Sequence, residues 1–318
     1  MSLGRDHSPC SLSTTFAWMR GRRYVSVPMA HYTSLQIGGP ADLLLMPADV
    51  DEVRTIVDCA LAQGVPVTWL GNGSNLIVRS RGIRGLVVSL HDALNDVSAQ
   101  APFPERARRP GDSVRVRVGA GVSLTRVLHL AVSEGLKGLS FAVGIPGTLG
   151  GAVVMNAGTE AGAIWDVVER VKLLLPHGEM VDVGPEEVTV GYRCAALPEH
   201  SVVLEATLRA ERGSPLEVRQ EVRQLYRCRR ESQPSSYPNA GSIFKNPPGE
   251  RAGRLIDQLG LKGYQIGDAQ VSRKHANFIV NRGQASVEDV LALIEYVKRR
   301  VRARTGILLE EEVRIVGE

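Results

Sequence analysis

The segment VGIPGTLGGAVVMNAG, residues 143–158, decides how the rest of this sequence is interpreted. It carries five glycines among small and apolar residues. Few structural turns need so many glycines, and a segment this apolar is expected to be buried. Glycines that remove side chains from one side leave room for a flat or extended group close to the backbone. The segment therefore predicts a cofactor-binding crossing, with a closely packed, glycine-lined core crossing as the alternative.

A second glycine-rich stretch lies upstream in WLGNGSNLIV, residues 69–78. Successive backbone amides in such a turn can form a concavity that binds anions. The stretch is neither a GxGxxG motif nor a P-loop, because no helix with the required residues follows it. Taken alone, it fits a plain tight turn equally well. Two such stretches in two α+β lobes suggest one dinucleotide bound between them.

The surrounding patterns predict alternating strands and helices. DLLLMP reads as a strand, the apolar residues within 50–61 recur at helical spacing, and VPVTWL reads as the next strand. SVRVRVGAG alternates as a half-exposed strand and precedes a helix. Ser286 with Asp289 predicts a capping box for the last helix. A final strand is expected in ILLEEEVRIVG.

Composition and charge exclude several classes of protein. The 318 residues are 43% hydrophobic and 23% charged, with a net charge of +4, which is typical of a globular protein. Short basic clusters at 20–23, 106–109 and 298–300 read as solvated faces, and no basic stripe with interleaved aromatic residues indicates nucleic-acid binding. No apolar run approaches the length of a membrane helix. We expect neither a nucleic-acid partner nor membrane insertion, and no obligatory protein partner is evident.

The cysteines and histidines predict a cytoplasmic protein without a metal site. The four cysteines show no CxxC spacing, so we expect free thiols in a reducing compartment. The seven histidines are scattered without metal-ligand spacing.

Six blocks of the sequence together resemble one enzyme family. They are GNGSN, GIPGTLGGAVVMNAG, GYR, QPSSYPNAGSIFKNP, GLKGYQIGDAQVSRKHANFIVN and LEEEVRIVG. In order and approximate spacing they are similar to the UDP-N-acetylenolpyruvoylglucosamine reductases (UDP-N-acetylmuramate dehydrogenases), from about residue 28 to the C-terminus. Only a short stretch separates GYR from the SIFKNP block. In this the sequence resembles the compact type of the family, which lacks an extra loop carrying a substrate-clamping tyrosine.

The resemblance implies a fold and a reaction. The expected fold is α+β, with a two-lobed FAD-binding domain of the vanillyl-alcohol-oxidase type and a C-terminal α+β substrate-binding domain. We place a loose N-terminal arm at 1–27, FAD-binding lobes at 28–95 and 96–213, and the substrate-binding domain at 214–318. The implied reaction is NADPH-dependent reduction of UDP-N-acetylglucosamine enolpyruvate in peptidoglycan precursor synthesis. Neither glycine-rich stretch contains a histidine that could tether a flavin, which favours non-covalent FAD.

The resemblance also assigns site residues. The catalytic arginine corresponds to Arg193 of GYR, the proton-donating serine to Ser242 and the catalytic glutamate to Glu312, which directly precedes "VR". If the three adjacent glutamates lie in a strand, Glu310 shares a face with Glu312 and is a rival for that role. The expected substrate-binding residues are Arg229, Lys245, Asn246 and Lys262, and Lys245 is also a candidate charge partner for Ser242. The expected cofactor-binding residues are Gly71, Asn72, Gly73, Ser74, Asn75, Gly144, Ile145, Pro146, Gly147, Thr148, Gly150, Gly151, Ala152 and Asn156.

Two other functions fit parts of this pattern. One is an FAD-dependent oxidase or dehydrogenase of the same fold that acts on an alcohol or sugar. The other is a non-catalytic flavin or nucleotide sensor, which has no need for Arg193, Ser242 and Glu312 to converge. Lys137, Trp165 and His275 are interpreted as structural residues: a helix-end charge, a core side chain and a packing histidine.

Overall fold

The computed structural model describes residues 8–100, 109 and 111–318. Arg106 and Arg108 of the basic cluster at 106–109 lie outside the described residues. The helices are α1 Pro9–Thr15, α2 Val50–Gln63, α3 Leu124–Glu134, α4 Leu149–Val154, α5 Pro215–Ser232, α6 Ala252–Gln258 and α7 Val287–Thr305, with 3-10 turns at Met29–Tyr32, Ser140–Ala142 and Ile164–Asp166.

Twenty strands accompany these helices within the described residues. They are β1 Arg22–Pro28, β2 Pro40–Met46, β3 Val67–Leu70, β4 Leu76–Val78, β5 Ile83–Ser89, β6 Val97–Gln100, β7 Ser113–Gly119, β8 Leu136–Lys137, β9 Gly158–Thr159, β10 Gly162–Ala163, β11 Val168–Leu174, β12 Met180–Val183, β13 Thr189–Gly191, β14 Cys194–Ala196, β15 Val202–Arg212, β16 Asn239–Ser242, β17 Gln265–Ile266, β18 Ala269–Val271, β19 Phe278–Asn281 and β20 Arg314–Val316. The predicted α+β class is confirmed.

Local sequence signals set the ends of the long helices. The side chain of Asp49 accepts a hydrogen bond from the Glu52 amide at the start of α2. After α2, the C-cap residue Gly64 has φ of 68°, and its amide donates to the carbonyls of Ala60 and Leu61. The capping box of Ser286 and Asp289 at the start of α7 is confirmed. These contacts satisfy backbone groups that have no partner inside the helix.

Two compact units make up the chain. The first comprises the residues up to Tyr24, Leu43–Gly71 and Gly85–Cys228. Its main sheet has the order β12-β11-β15-β7-β6, with β8 also paired to β15. All of these strand pairs are antiparallel. The inward residues of this sheet, of which Val116 and Val118 are fully buried, pack with apolar residues of α3 and α4. Residues of the segment 143–158, among them Val143, Leu149 and Val153, belong to this same core.

A second sheet has the order β1-β2-β5-β3, in which β3 and β5 are parallel. Leu12 and Phe16 from the N-terminal residues pack with α2 residues in one buried cluster. Residues 8–19 therefore do not form the loose arm expected over 1–27. The apolar side chains of α1 follow a serine cap and a proline at the first helical position, and their burial against α2 anchors the segment.

The second unit comprises Val25–Asp42, Asn72–Arg84 and Arg229–Glu318. Its sheet has the order β16-β19-β18-β17 and is antiparallel throughout. Helices α6 and α7 contribute to the same core as β16, β18 and β19. Strand β20 pairs in parallel with β4. The final strand expected from ILLEEEVRIVG is wrong over most of its length, because only Arg314–Val316 forms a strand and Glu311 makes an isolated bridge with Phe244.

Two absences hold for the part of the chain that the structure describes. No helix there is long and apolar enough to cross a membrane. No group of three or more His, Cys, Asp or Glu side chains there could hold a metal ion.

Candidate active site

The glycine run, residues 143–158, crosses the first unit as a tightly bonded segment. The amide of Leu149 donates to the carbonyl of Val122 over 2.9 Å, and the amide of Gly150 donates to the carbonyl of Ala120 over 2.9 Å. The side chain of Thr148 caps the short helix α4. The run is therefore fixed by its own backbone to the loop that joins β7 to α3.

The glycines of this run serve two different purposes. A Cβ at Gly158 would lie 2.6 Å from the carbonyl oxygen of Gly162, and one at Gly150 would lie 3.1 Å from the Cβ of Ala120. By contrast, a Cβ at Gly147 or Gly151 would meet protein atoms only at 3.7 Å or 3.6 Å. Close packing therefore accounts for Gly158 and Gly150. Packing does not require Gly147 or Gly151 to be glycine, and these two positions fit a flat ligand such as the expected flavin.

The upstream turn at 71–75 is more heavily constrained by packing. A Cβ at Gly71 would lie 2.6 Å from the Oγ1 of Thr148. Gly73 has φ of +59°, and a Cβ there would overlap the carbonyl of Tyr32. The close approach of neighbouring protein atoms is thus the evident reason for both glycines.

Arg193 lies at the tip of the hairpin formed by β13 and β14, with φ of 56°. Its Nη1 donates to the carbonyl of Gly158 over 3.0 Å, and its guanidinium lies 5.3 Å from the ring centroid of Tyr192. Asn156, also left-handed with φ of 41°, donates from Nδ2 to the carbonyl of Gly191 over 2.9 Å. Two contacts therefore join the end of the glycine run to the arginine hairpin. Asn156, expected among the cofactor-binding residues, uses its amide nitrogen in one of them.

Ser242 ends strand β16 in the second unit, within a segment that we call the serine turn, residues 239–245. Gly241, which precedes it, has φ of 76°, and a Cβ there would meet no heavy atom within 4 Å. The amide of Gly241 donates to the Oδ1 of Asn239 over 3.1 Å. The left-handed conformation requires glycine, and the absence of neighbours leaves open space beside Ser242.

The C-terminal glutamates, residues 310–312, bond to the backbone of the serine turn. The amide of Glu312 donates to the carbonyl of Ile243 over 2.7 Å. The carbonyl of Glu312 accepts a hydrogen bond from the Nδ2 of Asn75 over 3.0 Å. The second unit therefore brings together three of the sequence blocks, those that contain Asn75, Ser242 and Glu312.

The three adjacent glutamates differ in their surroundings. Glu310 is 73% exposed and its carboxylate lies 3.5 Å from the Nζ of Lys245. Glu311 lies 2.7 Å from the Nζ of Lys298 on α7. The Glu311 carboxylate raises the pKa of Lys298, through its hydrogen bond first and its charge next. Since 310–312 do not form a regular strand, the alternation expected to pair Glu310 with Glu312 does not apply.

The other residues assigned to the substrate are mostly engaged with the protein. The Oδ1 of Asn246 accepts a hydrogen bond from the amide of Ala252 over 3.0 Å, at the start of α6. Lys262 pairs with Asp257 over 2.7 Å. Arg229 lies in the last turn of α5 and is half-buried. Lys245, as described, pairs with Glu310.

The three residues interpreted as structural have clear partners. Trp165 is 7% exposed, and its Nε1 donates to the carbonyl of Val153 over 2.9 Å. Lys137 forms an ion pair with Glu217 over 2.8 Å. Burial, followed by the charge of Lys262, lowers the pKa of His275, whose Nδ1 accepts a hydrogen bond from the amide of Asn277.

Sequence reasoning missed Asn277, which contacts the serine turn directly. A signal for it was present, because a polar residue within the apolar run ANFIVN must find hydrogen-bond partners if the run is buried.

Comparison with known proteins identifies both parts of the chain. An FAD binding domain model matches residues 41–184. The model for the C-terminal domain of UDP-N-acetylenolpyruvoylglucosamine reductase matches residues 233–316. Both sequence-predicted domains thus have a counterpart among known families.

Full-length relatives extend this similarity. The chain is 42% identical to the UDP-N-acetylenolpyruvoylglucosamine reductase of Caldanaerobacter subterraneus subsp. tengcongensis, over 94% of this chain and 95% of that protein. It is 43% identical to the enzyme of the same name from Geobacter metallireducens, over 95% and 96%. The crystal structure of UDP-N-acetylenolpyruvylglucosamine reductase from Thermus caldophilus matches with a TM-score of 0.76 and 37% identity, covering 94% of this chain and 100% of that one.

The FAD binding domain, the two-unit α+β fold and the glycine run define an FAD-dependent oxidoreductase. The glycine run leaves space at Gly147 and Gly151, and this space fits FAD. The chain belongs to the UDP-N-acetylenolpyruvoylglucosamine reductase family, whose function lies in peptidoglycan synthesis.

Proposed function

We propose that this protein reduces the enolpyruvyl group of UDP-N-acetylglucosamine enolpyruvate to give UDP-N-acetylmuramate, with NADPH as the reductant and non-covalently bound FAD. FAD, when bound, supplies the hydride transfer between NADPH and the enolpyruvyl carbon. The backbone at Gly147 and Gly151 would lie against the flavin within the FAD-binding lobe at 96–213, and the lobe at 28–95 would complete the FAD-binding domain. A cytoplasmic setting remains a prediction.

Arg193 binds the substrate carboxylate in this proposal. Hydride addition to an α,β-unsaturated carboxylate builds negative charge on the carboxylate oxygens. A guanidinium can donate two parallel charge-assisted hydrogen bonds to such a group and offset that charge. The bond from Arg193 Nη1 to the carbonyl of Gly158 supports this role, because it fixes the side chain beside the glycine run.

Ser242 gives its hydroxyl proton to the carbon adjacent to the one that receives hydride. A general acid must be held within reach of the atom that it protonates, and the open space beside Gly241 leaves room for substrate at this point. The alkoxide left on Ser242 is reprotonated from solvent. The Nζ of Lys245, the expected charge partner of Ser242, lies 3.5 Å from the Glu310 carboxylate. We therefore assign the reprotonation to solvent and not to Lys245.

In this proposal Glu312 assists by hydrogen bonding to the substrate carboxylate, on whose oxygens the negative charge builds. The observation that carries the proposal is the convergence of sequence blocks in the second unit. The amide of Glu312 is bonded to Ile243, the neighbour of Ser242, and its carbonyl is bonded to Asn75. Its rival Glu310 is exposed and paired with Lys245, which favours Glu312.

Anaerobic half-reactions of the wild type and Ser242→Ala test the proposal. Reduction of the bound flavin by NADPH is expected to stay near normal in the variant. Reoxidation by the enolpyruvyl substrate should fall by a factor on the order of 100 to 10,000, which is the usual contribution of a general acid. Loss of both half-reactions together would exclude Ser242 as the specific proton donor.

A further inference from the structure

The regular ladder of β16 and β19 does not by itself fix the position of Ser242. Residues Asn239 and Val280 are paired, and Ser242 is paired with Phe278, but the register shifts between these two pairs. The shift coincides with the left-handed Gly241. Ser242 is also the last residue of β16. It therefore lies between an irregularity and the end of its strand, where ladder bonds constrain it least.

The side chain of Asn277 provides hydrogen bonds where the ladder ends. Its Oδ1 accepts from the amide of Phe244 over 3.0 Å, and its Nδ2 donates to the carbonyl of Phe244 over 2.8 Å. Its own carbonyl accepts from the amide of Ile243 over 2.8 Å. One residue thus makes three hydrogen bonds to the two residues that follow Ser242. The side-chain amide here replaces the backbone of a pairing strand.

Asn277 is itself held firmly. It is 4% exposed, and its amide donates to the Nδ1 of His275 over 3.2 Å. A buried amide whose donor and acceptor are both bonded has one strongly preferred orientation, because any rotation leaves a polar group without a partner.

We propose that Asn277 is a positioning residue for proton transfer: by bonding both backbone groups of Phe244, it fixes the serine turn so that the Ser242 hydroxyl faces the substrate carbon. This inference rests on the role proposed above for Ser242. Misplacement of a reacting group by about 1 Å can cost on the order of 100-fold in rate. Loss of this support should therefore slow the protonation step specifically.

Asn277→Asp is the most direct variant, because it keeps the size and the acceptor but turns a carboxylate oxygen toward the Phe244 carbonyl. In the FAD-loaded protein we expect flavin reduction by NADPH to be unchanged. Reoxidation by the enolpyruvyl substrate should slow on the order of 10- to 100-fold. Should Asn277→Asp fail to fold, Asn277→Ser serves in the same assay.

Asn281→Asp is the matched control for a general loss of stability. Asn281 ends strand β19, which begins directly after Asn277. It is 3% exposed, and its side chain makes three hydrogen bonds, to Leu35, Gly283 and Ala285. None of these partners belongs to the serine turn. Thermal unfolding should show a comparable loss for both variants, whereas reoxidation should slow only in Asn277→Asp.

A double-mutant cycle with Ser242→Ala separates positioning from a structural effect. If Asn277 acts through Ser242, Asn277→Asp should produce no further slowing of the residual reoxidation rate in the Ser242→Ala background. An equal slowing in both backgrounds, no slowing in the wild-type background, or an equal fall in the NADPH half-reaction would each overturn the inference. Failure of the role proposed for Ser242 gives a different result. In that case the Ser242→Ala variant alone would reoxidise its flavin with the enolpyruvyl substrate at the full wild-type rate.

Discussion

The glycine run of the first unit and the serine turn of the second are both irregular segments fixed by hydrogen bonds, but they are built by opposite means. In the glycine run, missing side chains allow the backbone at Gly150 and Gly158 to approach its neighbours closely. In the serine turn, polar side chains bond to backbone groups: Asn277 bonds to both backbone groups of Phe244, and Asn239 accepts from the amide of Gly241. One segment should therefore be disrupted by adding atoms, and the other by removing or recharging polar ones.

The largest effect is expected from adding a methyl group at Gly158. A Cβ there would lie 2.6 Å from the carbonyl of Gly162 and 2.8 Å from the Cα of Ala163, and the backbone cannot yield as a flexible side chain would. Gly158→Ala should lower the free energy of unfolding by about 1–3 kcal/mol. Thermal or urea unfolding of the FAD-free protein measures this.

Gly147→Ala is the control in the same run. Its Cβ would meet protein only at 3.7 Å, so stability without FAD should be nearly unchanged while the dissociation constant for FAD rises. Equal destabilisation by both substitutions would contradict the division of the run into packing and ligand-facing glycines.

A smaller loss of stability is expected from removing the ion pair between Lys298 and Glu311, which holds the C-terminal segment beside the serine turn. Lys298 is 20% exposed and lies 2.7 Å from Glu311. Because this contact raises the pKa of Lys298 above its ordinary value, its stabilisation is complete at neutral pH and is lost only as the pH rises through the folded-state pKa. Lys298→Met should reduce stability by about 1 kcal/mol at pH 7.

Two controls accompany Lys298→Met in chemical denaturation. Lys298 also lies 3.3 Å from Glu295 on its own helix, and Glu295→Gln should change stability by a few tenths of a kcal/mol at most. Lys172→Met removes an exposed ion pair of 3.9 Å and should have little effect. Equal changes in the free energy of unfolding for all three variants would show that the ion pair between Lys298 and Glu311 does not stabilise the protein specifically.

The smallest change in stability is expected from protonation of His275, whose Nδ1 accepts a hydrogen bond from the Asn277 amide. The pKa of His275 is lowered, chiefly by burial and then by Lys262, while Asp257 opposes the shift. The unfolded chain therefore binds the proton more readily. The stabilisation by neutral His275 is complete above about pH 6.5 and decreases as the pH falls from there toward the folded-state pKa.

His275→Asn keeps an acceptor near the Asn277 amide but does not titrate. Its free energy of unfolding should fall less steeply between pH 7 and pH 5 than that of the wild type. Parallel pH profiles for the two proteins would show that His275 does not contribute to the acid sensitivity of this region.

The glycine run could be recognised from sequence because its properties are local. The number of glycines and the apolar residues between them predict a buried crossing with room for a ligand, and the FAD binding domain match at 41–184 agrees with this. Which glycine serves which purpose could not be predicted. That depends on Gly162 and Ala120, whose distances to the run are set by the folded sheet.

The serine turn was less accessible to sequence reasoning. The block SIFKNP marked Ser242, and EVR marked Glu312. However, the expected continuous strand from Ile307 to Gly317 is absent over most of its length. Intrinsic preference for a strand was overridden here by contacts of 310–313 with the serine turn, which comprise the Glu311 bridge to Phe244 and a backbone bond from the Glu312 amide to Ile243.

The sequence by itself determined the α+β class, the FAD binding domain, the reductase family and the capping box of α7, because these follow from local patterns and from ordered blocks along the chain. Only the tertiary structure decided that residues 8–19 pack into a core and that Lys245 pairs with Glu310. It also placed Asn277 against the segment after Ser242. The physical reason is that a hydrogen bond or a close contact depends on distances in space, and Asn277 and Phe244 are separated by 33 positions in the chain.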